Sequence, residues 1–281
     1  MKLLITGGTG FLGRRAAAYF SVSGYHVLTP LRTELDITDQ NSVDRWFRQH
    51  HPDATIHCAA VSDTGLCQKE PEWSHRINVT GSVHLAQACE HTGATFLFCS
   101  SDQVYHASSR PGPHTESEVL HPETVYARQK LQAEECCASA CRNTINLRLS
   151  WMYSPQFLPG EHGHLLTQIR DLLSGDEVSM VRSVQDFRGI TDADSVVWNL
   201  PGALNLPAGV YNFGAGNELD AYHTLKTVFE AMGRHDVLGR LRPDEKAPFR
   251  DIRMDCSLAA SHGIRFGSTV DGLYRVLSTF F

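Results

Sequence analysis

The feature that most constrains this chain is a glycine-rich stretch close to its first residue. Residues 3–13 read LLITGGTGFLG, an apolar run of strand length that passes directly into closely spaced glycines and then into a helical pattern. Gly8, Gly10 and Gly13 fit G-x-G-x-x-G, and Gly7, Gly10 and Gly13 fit the wider G-x-x-G-x-x-G. Such glycines permit a positive φ, a close approach of backbone to a pyrophosphate, and tight packing of helix on strand. The motif therefore indicates a dinucleotide bound at the N-terminus of the first helix.

Composition limits the classes of protein to which the chain can belong. Its 281 residues are 42% hydrophobic and 20% charged, which is typical of a globular protein with a large core. A net charge of −6 without a basic run argues against a nucleic-acid-binding protein. No apolar stretch approaches the length of a membrane span or forms a signal-peptide core. We therefore expect a cytoplasmic monomer or homodimer without nucleic-acid or membrane partners.

The eight cysteines and fifteen histidines show no metal-ligand spacing. Cys58, Cys89 and Cys99 fall in apolar runs, where a reduced cysteine behaves as a small hydrophobic residue. His50 with His51, and His162 with His164, lie in polar, loop-like stretches without a nearby cysteine or carboxylate pattern, which is typical of solvated histidines. We expect no metal site.

Strand and helix patterns alternate through the first half of the chain. After the first strand, apolar runs of strand length lie at residues 25–29, 54–60, 95–99 and 144–149. Helical patterns separate them, including a long one from about Trp73 to His91. This βαβα order predicts an α/β protein with a doubly wound parallel sheet, as in the Rossmann fold.

The pattern loosens after Tyr153. A loop is indicated by Pro155, Pro159, Gly160 and Gly163, and a polar segment extends over residues 240–253. Between them, a strand at residues 209–214 is expected to return to the sheet. We therefore expect a dinucleotide-binding domain over residues 1–153 and a smaller substrate-binding region over residues 154–281, which caps the mouth of the sheet.

The end of the second predicted strand bears on the type of dinucleotide. Proteins that bind NAD usually carry an acidic residue there to hold the ribose 2′-hydroxyl, but this chain has Arg32. A cation suits a 2′-phosphate, so Arg32 favours NADP over NAD, with a solvated loop arginine as the alternative. Asp36 stands between apolar neighbours and is a candidate contact of the adenine amino group, with a surface turn as the alternative.

Tyr126, Lys130 and Ser101 predict the chemistry. Residues at i and i+4 share one face of a helix, so the Tyr126 hydroxyl and the Lys130 ammonium can point into one cleft. A nearby cation stabilises tyrosinate and should lower the pKa of Tyr126 from about 10 toward neutrality. Tyr126 could then donate or accept a proton, while Ser101 supplies a second hydrogen bond to the reacting oxygen. An exposed Tyr–Lys pair is the alternative, and the glycine fingerprint upstream disfavours it.

These residues resemble the extended short-chain dehydrogenase/reductase family. Thr6–Gly13, Ser101, and Tyr126 with Lys130 carry the likeness, and within the family the chain is similar to the dTDP-4-dehydrorhamnose reductases. The supporting stretches are LDITD (35–39), PDATIHCAA (52–60), INV (77–79), SSDQVY (100–105) and LRLSWMY (147–153).

The resemblance implies a role for each matching residue. On the cofactor it places Gly10, Phe11 and Leu12 around the pyrophosphate, Asp36 and Ile37 at the adenine, and Ala59, Ala60 and Val61 along the ribose and phosphates. Its catalytic set is Ser101, Tyr126 and Lys130, with Lys130 also bound to the nicotinamide ribose. Asp102 and Trp151 would touch the sugar, and Asn78 would tie a helix to the sheet. Arg15 stands where some of these reductases carry an acidic residue that bridges a dimer through magnesium, so no such metal is expected.

The implied activity is transfer of hydride from NADPH, with NAD(H) as a possible substitute, to the ketone of a nucleotide-linked 4-keto-sugar. A dehydratase of this type would carry an acidic pair after the catalytic strand, whereas this chain has Asp102 followed by Gln103, and an amide is neither acid nor base. Two alternatives stay open at this point. One is a sugar-nucleotide epimerase that retains NAD, and the other is a redox-inactive NADP-binding regulatory subunit.

Overall fold

The computed structural model describes residues 1–108, 110–156, 164–175 and 177–280. Pro159, Gly160, His162 and Gly163, which belong to the predicted loop, lie outside these ranges. Within the ranges, each helix is too short or too polar to cross a lipid bilayer.

The strands and helices of the described residues follow the expected alternation. The strands are β1 (Lys2–Thr6), β2 (His26–Leu28), β3 (Ala54–His57), β4 (Thr95–Ser101), β5 (Thr144–Leu149), β6 (Trp151–Tyr153), β7 (Met180–Ser183), β8 (Asp186–Phe187), β9 (Ile190–Asp192), β10 (Gly209–Phe213), β11 (Leu241–Asp244) and β12 (Arg250–Asp251). The helices are α1 (Phe11–Val22), α2 (Gln40–His50), α3 (Thr64–Lys69), α4 (Pro71–His75), α5 (Gly81–Thr92), α6 (Val125–Ala140), α7 (His164–Ser174), α8 (Ala193–Ala203), α9 (Ala221–Ala231), α10 (His235–Leu238), α11 (Ser257–Ser261) and α12 (Thr269–Phe280).

A six-stranded parallel sheet forms the centre of the protein, in the order β10-β5-β4-β3-β1-β2. Leu3 of β1 lies opposite Ala54 of β3, and Ile145 of β5 lies opposite Gly209 of β10. The predicted doubly wound parallel sheet is confirmed, and β10 forms its edge beside β5.

Helices cover both faces of this sheet, and β3 and β5 are therefore buried along their whole length. On one face α1 and α8 pack in a core that contains Phe20 and Leu200. On the other face α2, α5 and α6 pack around Phe47, Leu85 and Cys137. The sheet is therefore held rigidly between two layers, which fixes the positions of the strand ends.

The residues after 153 divide between two places. β10 and α8 complete the main sheet and one of its cores, whereas α7, α9 and α12 gather in a cluster of their own. The short pairs β6–β9, β7–β11 and β8–β12 connect this cluster to the rest. The polar segment at residues 240–253 contains two short strands that the sequence did not predict, β11 and β12. These strands have four and two residues and contain Pro243 and several charges, so no alternating apolar pattern marks them.

The long helix predicted from Trp73 to His91 is confirmed in extent, because the chain is helical without a break from Pro71 to Thr92 and ends at Gly93. The chain forms α4, a wider π-type turn over Arg76–Thr80, and α5. α3 ends just before Pro71, because a proline lacks the N–H that would continue that helix. A π-type turn changes the helical period by only one residue, so apolar spacing does not reveal it.

Candidate active site

A cavity of about 810 Å³ opens where β1, β3, β4 and β5 end. Gly10 follows β1, Cys58 follows β3, Ser101 ends β4 and Trp151 follows β5, and all four line the cavity. Arg188, from the turn between β8 and β9, lines it from the part of the chain after residue 153. Ligands of open parallel sheets bind at these carboxyl ends, which makes the cavity the candidate site.

Two of the fingerprint glycines act in packing. Gly7 has a φ of +69°, and a Cβ there would lie 2.8 Å from the backbone nitrogen of Ala59. A Cβ on Gly13 would collide with the carbonyl oxygen of Gly7. A larger residue at either position would push α1 away from the sheet, so both glycines hold the helix close to the strand ends. Direct contact of Gly7 and Gly13 with a cofactor stays a prediction.

The N-terminus of α1 faces the cavity. Gly10, Phe11 and Leu12 line it, no side chain caps the helix, and the first turn carries no acidic residue. The first N–H groups and the helix dipole therefore favour a phosphate there. Arg15 is buried and donates to the carbonyl oxygens of Phe11, at 2.8 Å, and Gln156, at 2.6 Å, which braces this turn. This cradle fits the diphosphate of a dinucleotide.

The residues predicted at the adenine end lie farther along the sheet edge. The Arg32 side chain is 69% exposed, and its Nε lies 4.0 Å from Asp36 Oδ2. Asp36 accepts hydrogen bonds from the Thr38 hydroxyl, at 2.7 Å, and backbone nitrogen, at 3.0 Å, which lower the pKa of the Asp36 carboxyl. Asp36 thus fixes a turn and stays charged. Ile37 packs against Gly81.

Among the residues expected along the ribose and phosphates, Ala60 lines the described cavity, and Ala59 and Val61 do not. Val61 is instead held by Asn78, which accepts from its backbone nitrogen at 2.8 Å and donates to its carbonyl oxygen at 3.1 Å. Asn78 also donates to Gln129 of α6 at 2.9 Å. Asn78 thus ties its helix to α6 and to the loop that follows β3. Contact of Arg32, Asp36, Ile37, Ala59 and Val61 with a cofactor stays a prediction.

Ser101, Tyr126 and Lys130 meet in the cavity. Thr124 caps the N-terminus of α6 through a hydrogen bond from the Ala127 nitrogen, at 3.2 Å, so Tyr126 lies in the first turn of the helix. The Lys130 Nζ is buried and donates to the Cys99 carbonyl oxygen at 2.8 Å. The helix and the adjacent strand end thus bring a phenol, an ammonium and a hydroxyl to one wall.

The prediction that Lys130 lowers the pKa of Tyr126 toward neutrality is wrong for the protein without a bound ligand. Burial raises the pKa of its phenol, and the hydrogen bond with Ser101 only partly opposes this. The Lys130 ammonium does not offset the burial, because it bonds the Cys99 carbonyl and lies 5.8 Å from the centroid of the Tyr126 ring. Burial also lowers the pKa of Lys130. Tyr126 is therefore protonated at neutral pH, the state required of a proton donor.

Comparison with known families agrees with this geometry. The model of the RmlD substrate binding domain family matches residues 1–249. The chain belongs to the RmlD family. Its structure is similar to that of dTDP-4-dehydrorhamnose reductase from Bacillus anthracis in complex with NADP, with a TM-score of 0.85, at 20% identity over 100% of this chain and 99% of that chain. This likeness shows that the two proteins share a fold.

Two curated relatives extend the comparison. The chain is 27% identical to dTDP-4-dehydrorhamnose reductase of Mycolicibacterium smegmatis, over 86% of this chain and 72% of that protein. It is 30% identical to methionine adenosyltransferase 2 subunit beta of Xenopus tropicalis, over 94% of this chain and 83% of that protein. Several further relatives are matched over only about half of their own length. The chain is thus similar both to a protein named as an enzyme and to a protein named as a subunit.

Sequence reasoning missed several cavity residues of this RmlD family member, and Arg188 is the one that contacts predicted residues. Arg188 donates from Nη2 to Asp102 Oδ2 at 3.1 Å, and its guanidinium carbon lies 5.2 Å from the centroid of a Trp151 ring. Asp102 and Trp151, predicted to touch a sugar, are both cavity residues, but the buried Asp102 carboxylate already holds Arg188. No sequence signal marks Arg188, because it lies in a short turn between two strands of two and three residues.

Two thiols form part of the cavity floor. The Sγ atoms of Cys58 and Cys99 lie 3.6 Å apart, and all eight cysteines are free. The hydrogen bond between these two thiols and their burial raise the pKa of Cys58. Cys58 therefore stays protonated, and the two side chains act as small apolar surface beneath the site, in keeping with the expectation for Cys58 and Cys99.

Proposed function

We propose that the protein is an NADPH-dependent reductase that converts the ketone of a nucleotide-linked 4-keto-sugar to an alcohol. The observation that carries the proposal is the meeting of Ser101, Tyr126 and Lys130 with the α1 N-terminus in one cavity. Membership of the RmlD family and the likeness to a reductase from Mycolicibacterium smegmatis support it. We also propose that it acts in the cytoplasm, as a monomer or a homodimer.

The charges that line the cavity suit two anionic molecules. Within the described residues, its lining contains Arg14, Lys130, Arg188 and Arg250 but only one carboxylate, that of Asp102. Arg250 is held by Asp186 through bonds of 2.7 and 2.5 Å, which fixes it at the rim. A cleft lined by an excess of one charge attracts ligands of the opposite charge. Both a dinucleotide and a sugar nucleotide carry diphosphates.

The chain's own residues supply the remaining chemistry. Gly10, Phe11 and Leu12 would hold the diphosphate of NADPH, which when bound supplies a hydride to the carbonyl carbon. Ser101 Oγ, now bonded to Asp102 at 3.2 Å, would turn its hydrogen toward the carbonyl oxygen and polarise it. Tyr126 would then donate its proton to the developing alkoxide, because its raised pKa keeps the phenol protonated.

Lys130 would act on both the cofactor and Tyr126. Its ammonium lies 2.8 Å from the Cys99 carbonyl oxygen at the wall of the cavity, within reach of a ribose hydroxyl. A buried cation there favours the transient tyrosinate that remains after Tyr126 has given up its proton. Lys130 would thus bind the cofactor and stabilise the charge left on Tyr126.

The direct test is a screen of nucleotide-linked 4-keto-sugars with NADPH and NADH, followed by loss of the reduced-nicotinamide absorbance. We expect oxidation of NADPH that depends on the ketone, and slower oxidation of NADH because of Arg32. A sugar nucleotide without the ketone is the control. Failure of every ketone to oxidise either cofactor would contradict the proposal.

Two alternative functions give different results in the same experiment. An epimerase would be purified with tightly bound NAD and would show no net consumption of added NADPH. The similarity to methionine adenosyltransferase 2 subunit beta favours a regulatory subunit, which would bind NADPH, oxidise none of it and co-purify with a partner enzyme. A binding subunit has no need of Ser101, Tyr126 and Lys130 together, so the reductase is the better supported function.

A further inference from the structure

Lys130 carries a buried charge with few polar partners. The residue is 4% exposed, and among the described residues its Nζ makes one hydrogen bond, to the Cys99 carbonyl oxygen at 2.8 Å. Glu134, one turn later on α6, is paired with Arg148 instead. Because a buried ammonium loses its hydration, a single carbonyl bond compensates only part of the cost of its charge. Burial accordingly lowers the pKa of Lys130.

An aromatic ring supplies a second close contact to this ammonium. Phe98 lies on β4 beside Cys99 and is 1% exposed, and the Lys130 Nζ lies over its ring at 4.7 Å from the centroid. The centroid of the Tyr126 ring is farther from the same atom, at 5.8 Å. The face of an aromatic ring is negative and attracts a cation within about 6 Å, more strongly where water is excluded. A carbonyl oxygen and a ring face therefore hold the Lys130 ammonium.

Other titratable groups surround Lys130 on every element that packs against it. Burial raises the pKa of the Cys137 thiol and lowers the pKa of the His57 imidazole to about 3, so both are uncharged at neutral pH. The Phe98 ring and the Cys99 carbonyl are thus the two near groups, within the described residues, that favour the charged amine. The full set of titratable neighbours is the thiols of Cys58, Cys67, Cys99 and Cys137, the imidazole of His57, the phenol of Tyr126 and the carboxylate of Glu134.

We propose that Phe98 is a positioning residue that holds the Lys130 ammonium, through its ring face, at the wall of the cavity. Phe98 is absent from the cavity lining, so it acts through Lys130. The inference rests on the proposed function, in which Lys130 binds the cofactor and stabilises the charge left on Tyr126. Both roles need the ammonium, since a neutral amine has no charge to offer. Loss of the ring should therefore lower the pKa of Lys130 further and weaken NADPH binding at alkaline pH.

The test measures the Kd for NADPH from about pH 6 to about pH 10 by the change in nicotinamide fluorescence on binding. The wild type is compared with Phe98→Leu, which removes the ring, and with Phe96→Leu, which removes another buried ring of the same strand. Lys130→Met identifies the part of the pH dependence that belongs to Lys130. We expect the midpoint of the alkaline loss of affinity to be lower in Phe98→Leu by about 0.5 to 1.5 pH units, as for a cation–π contact. Phe96→Leu should keep the wild-type midpoint.

A second set of variants keeps the shape of the side chain. Phenylalanine with increasing numbers of ring fluorine atoms, incorporated in place of Phe98, weakens the negative ring face step by step while it fills nearly the same space. The midpoint should fall in the order of fluorine content. Equal midpoints in Phe98→Leu and Phe96→Leu, no change with fluorination, or equal pH dependence in the wild type and Lys130→Met would overturn the role of Phe98.

NADPH oxidation with a nucleotide-linked 4-keto-sugar, measured on the same samples, separates this inference from the proposed function. The expected shift of the midpoint in a protein that reduces no ketone would retain the role of Phe98 and contradict the reductase. Ketone reduction with unshifted midpoints would overturn the role of Phe98 and leave the reductase intact. If the wild type binds no NADPH, the proposed function fails and this inference fails with it.

Discussion

The buried ion pair between Glu134 and Arg148 gives the sharpest prediction about stability. Glu134 lies one turn after Lys130 on α6, and Arg148 lies on β5. Three bonds join them, two of 3.1 Å and one of 2.7 Å, with both side chains at most 4% exposed. Glu134 also accepts from the hydroxyl of Ser100, the neighbour of Ser101. The pair therefore supports the strand end and the helix that carry Ser101, Tyr126 and Lys130, the proposed catalytic residues.

Glu134→Gln should remove one charge and leave Arg148 buried without a counter-ion. Breaking such a pair costs about 3–5 kcal/mol of unfolding free energy. At about 2–4 °C per kcal/mol, Tm should fall by roughly 6–20 °C. Urea denaturation followed by circular dichroism measures the unfolding free energy directly. The dependence of that free energy on urea concentration should be unchanged if only stability is affected.

Two further variants test the reasoning behind this number. Glu135→Gln changes the exposed neighbour on the same helix and should shift the unfolding free energy by less than about 0.5 kcal/mol. Glu134→Leu with Arg148→Met removes both charges and should recover at least half of the loss. If Glu134→Gln were no less stable than Glu135→Gln, the account of a supporting ion pair beneath the site would be refuted.

Three further predictions concern packing and pH. Gly13→Ala should weaken NADPH binding at least about 10-fold and lower Tm, because its Cβ would meet the Gly7 carbonyl. Gly239→Ala, with open space around its Cβ, is the control. Equal NADPH affinity in both variants would contradict the packing role of Gly13. Burial lowers the pKa of His57 to about 3, so between about pH 6 and pH 3 the unfolded state binds a proton that the folded state does not. As the pH is lowered through that range, the unfolding free energy of the wild type should fall by about 1.4 kcal/mol per pH unit more than that of His57→Gln. Equal pH dependence in the two proteins would show that His57 does not contribute. Because the pKa of Tyr126 is raised, its proton is present throughout the neutral range, and its titration should not lower kcat/KM for reduction between about pH 7 and about pH 9. A decline in that range that is also present in Lys130→Met would indicate a phenol with a lowered pKa.

Sequence reasoning predicted the parts of the fold that strong local patterns mark. The apolar runs of β3, β4 and β5 are long enough to be recognised, and the glycines around Gly10 specify the turn and the helix after β1. The strand at residues 209–214 is similarly apolar. Pairs such as β8 with β12 are too short to carry a pattern, so the region above the cavity could not be predicted in detail.

The candidate site likewise contains residues that the sequence predicted and residues that it did not. Ser101, Tyr126 and Lys130 were predictable from spacing on one helix and one strand end, which local sequence determines. Arg188 and its bond to Asp102 join residues 86 positions apart, and nothing local connects them. The pKa of Tyr126 could not be predicted either, because spacing places Lys130 nearby but does not show that its ammonium bonds the Cys99 carbonyl.

The central claim is that Tyr126 donates the proton in an NADPH-dependent reduction of a sugar ketone. The measurement is NADPH oxidation with a dTDP-linked 4-keto-6-deoxyhexose by the wild type, Tyr126→Phe and the control Tyr274→Phe, whose ring is 42% exposed on α12. We predict one NADPH oxidised per ketone reduced by the wild type and by Tyr274→Phe. Tyr126→Phe should be slower by about 10²-fold or more, with a nearly unchanged Kd for NADPH. Near-full activity of Tyr126→Phe, or no oxidation by the wild type, would contradict the claim.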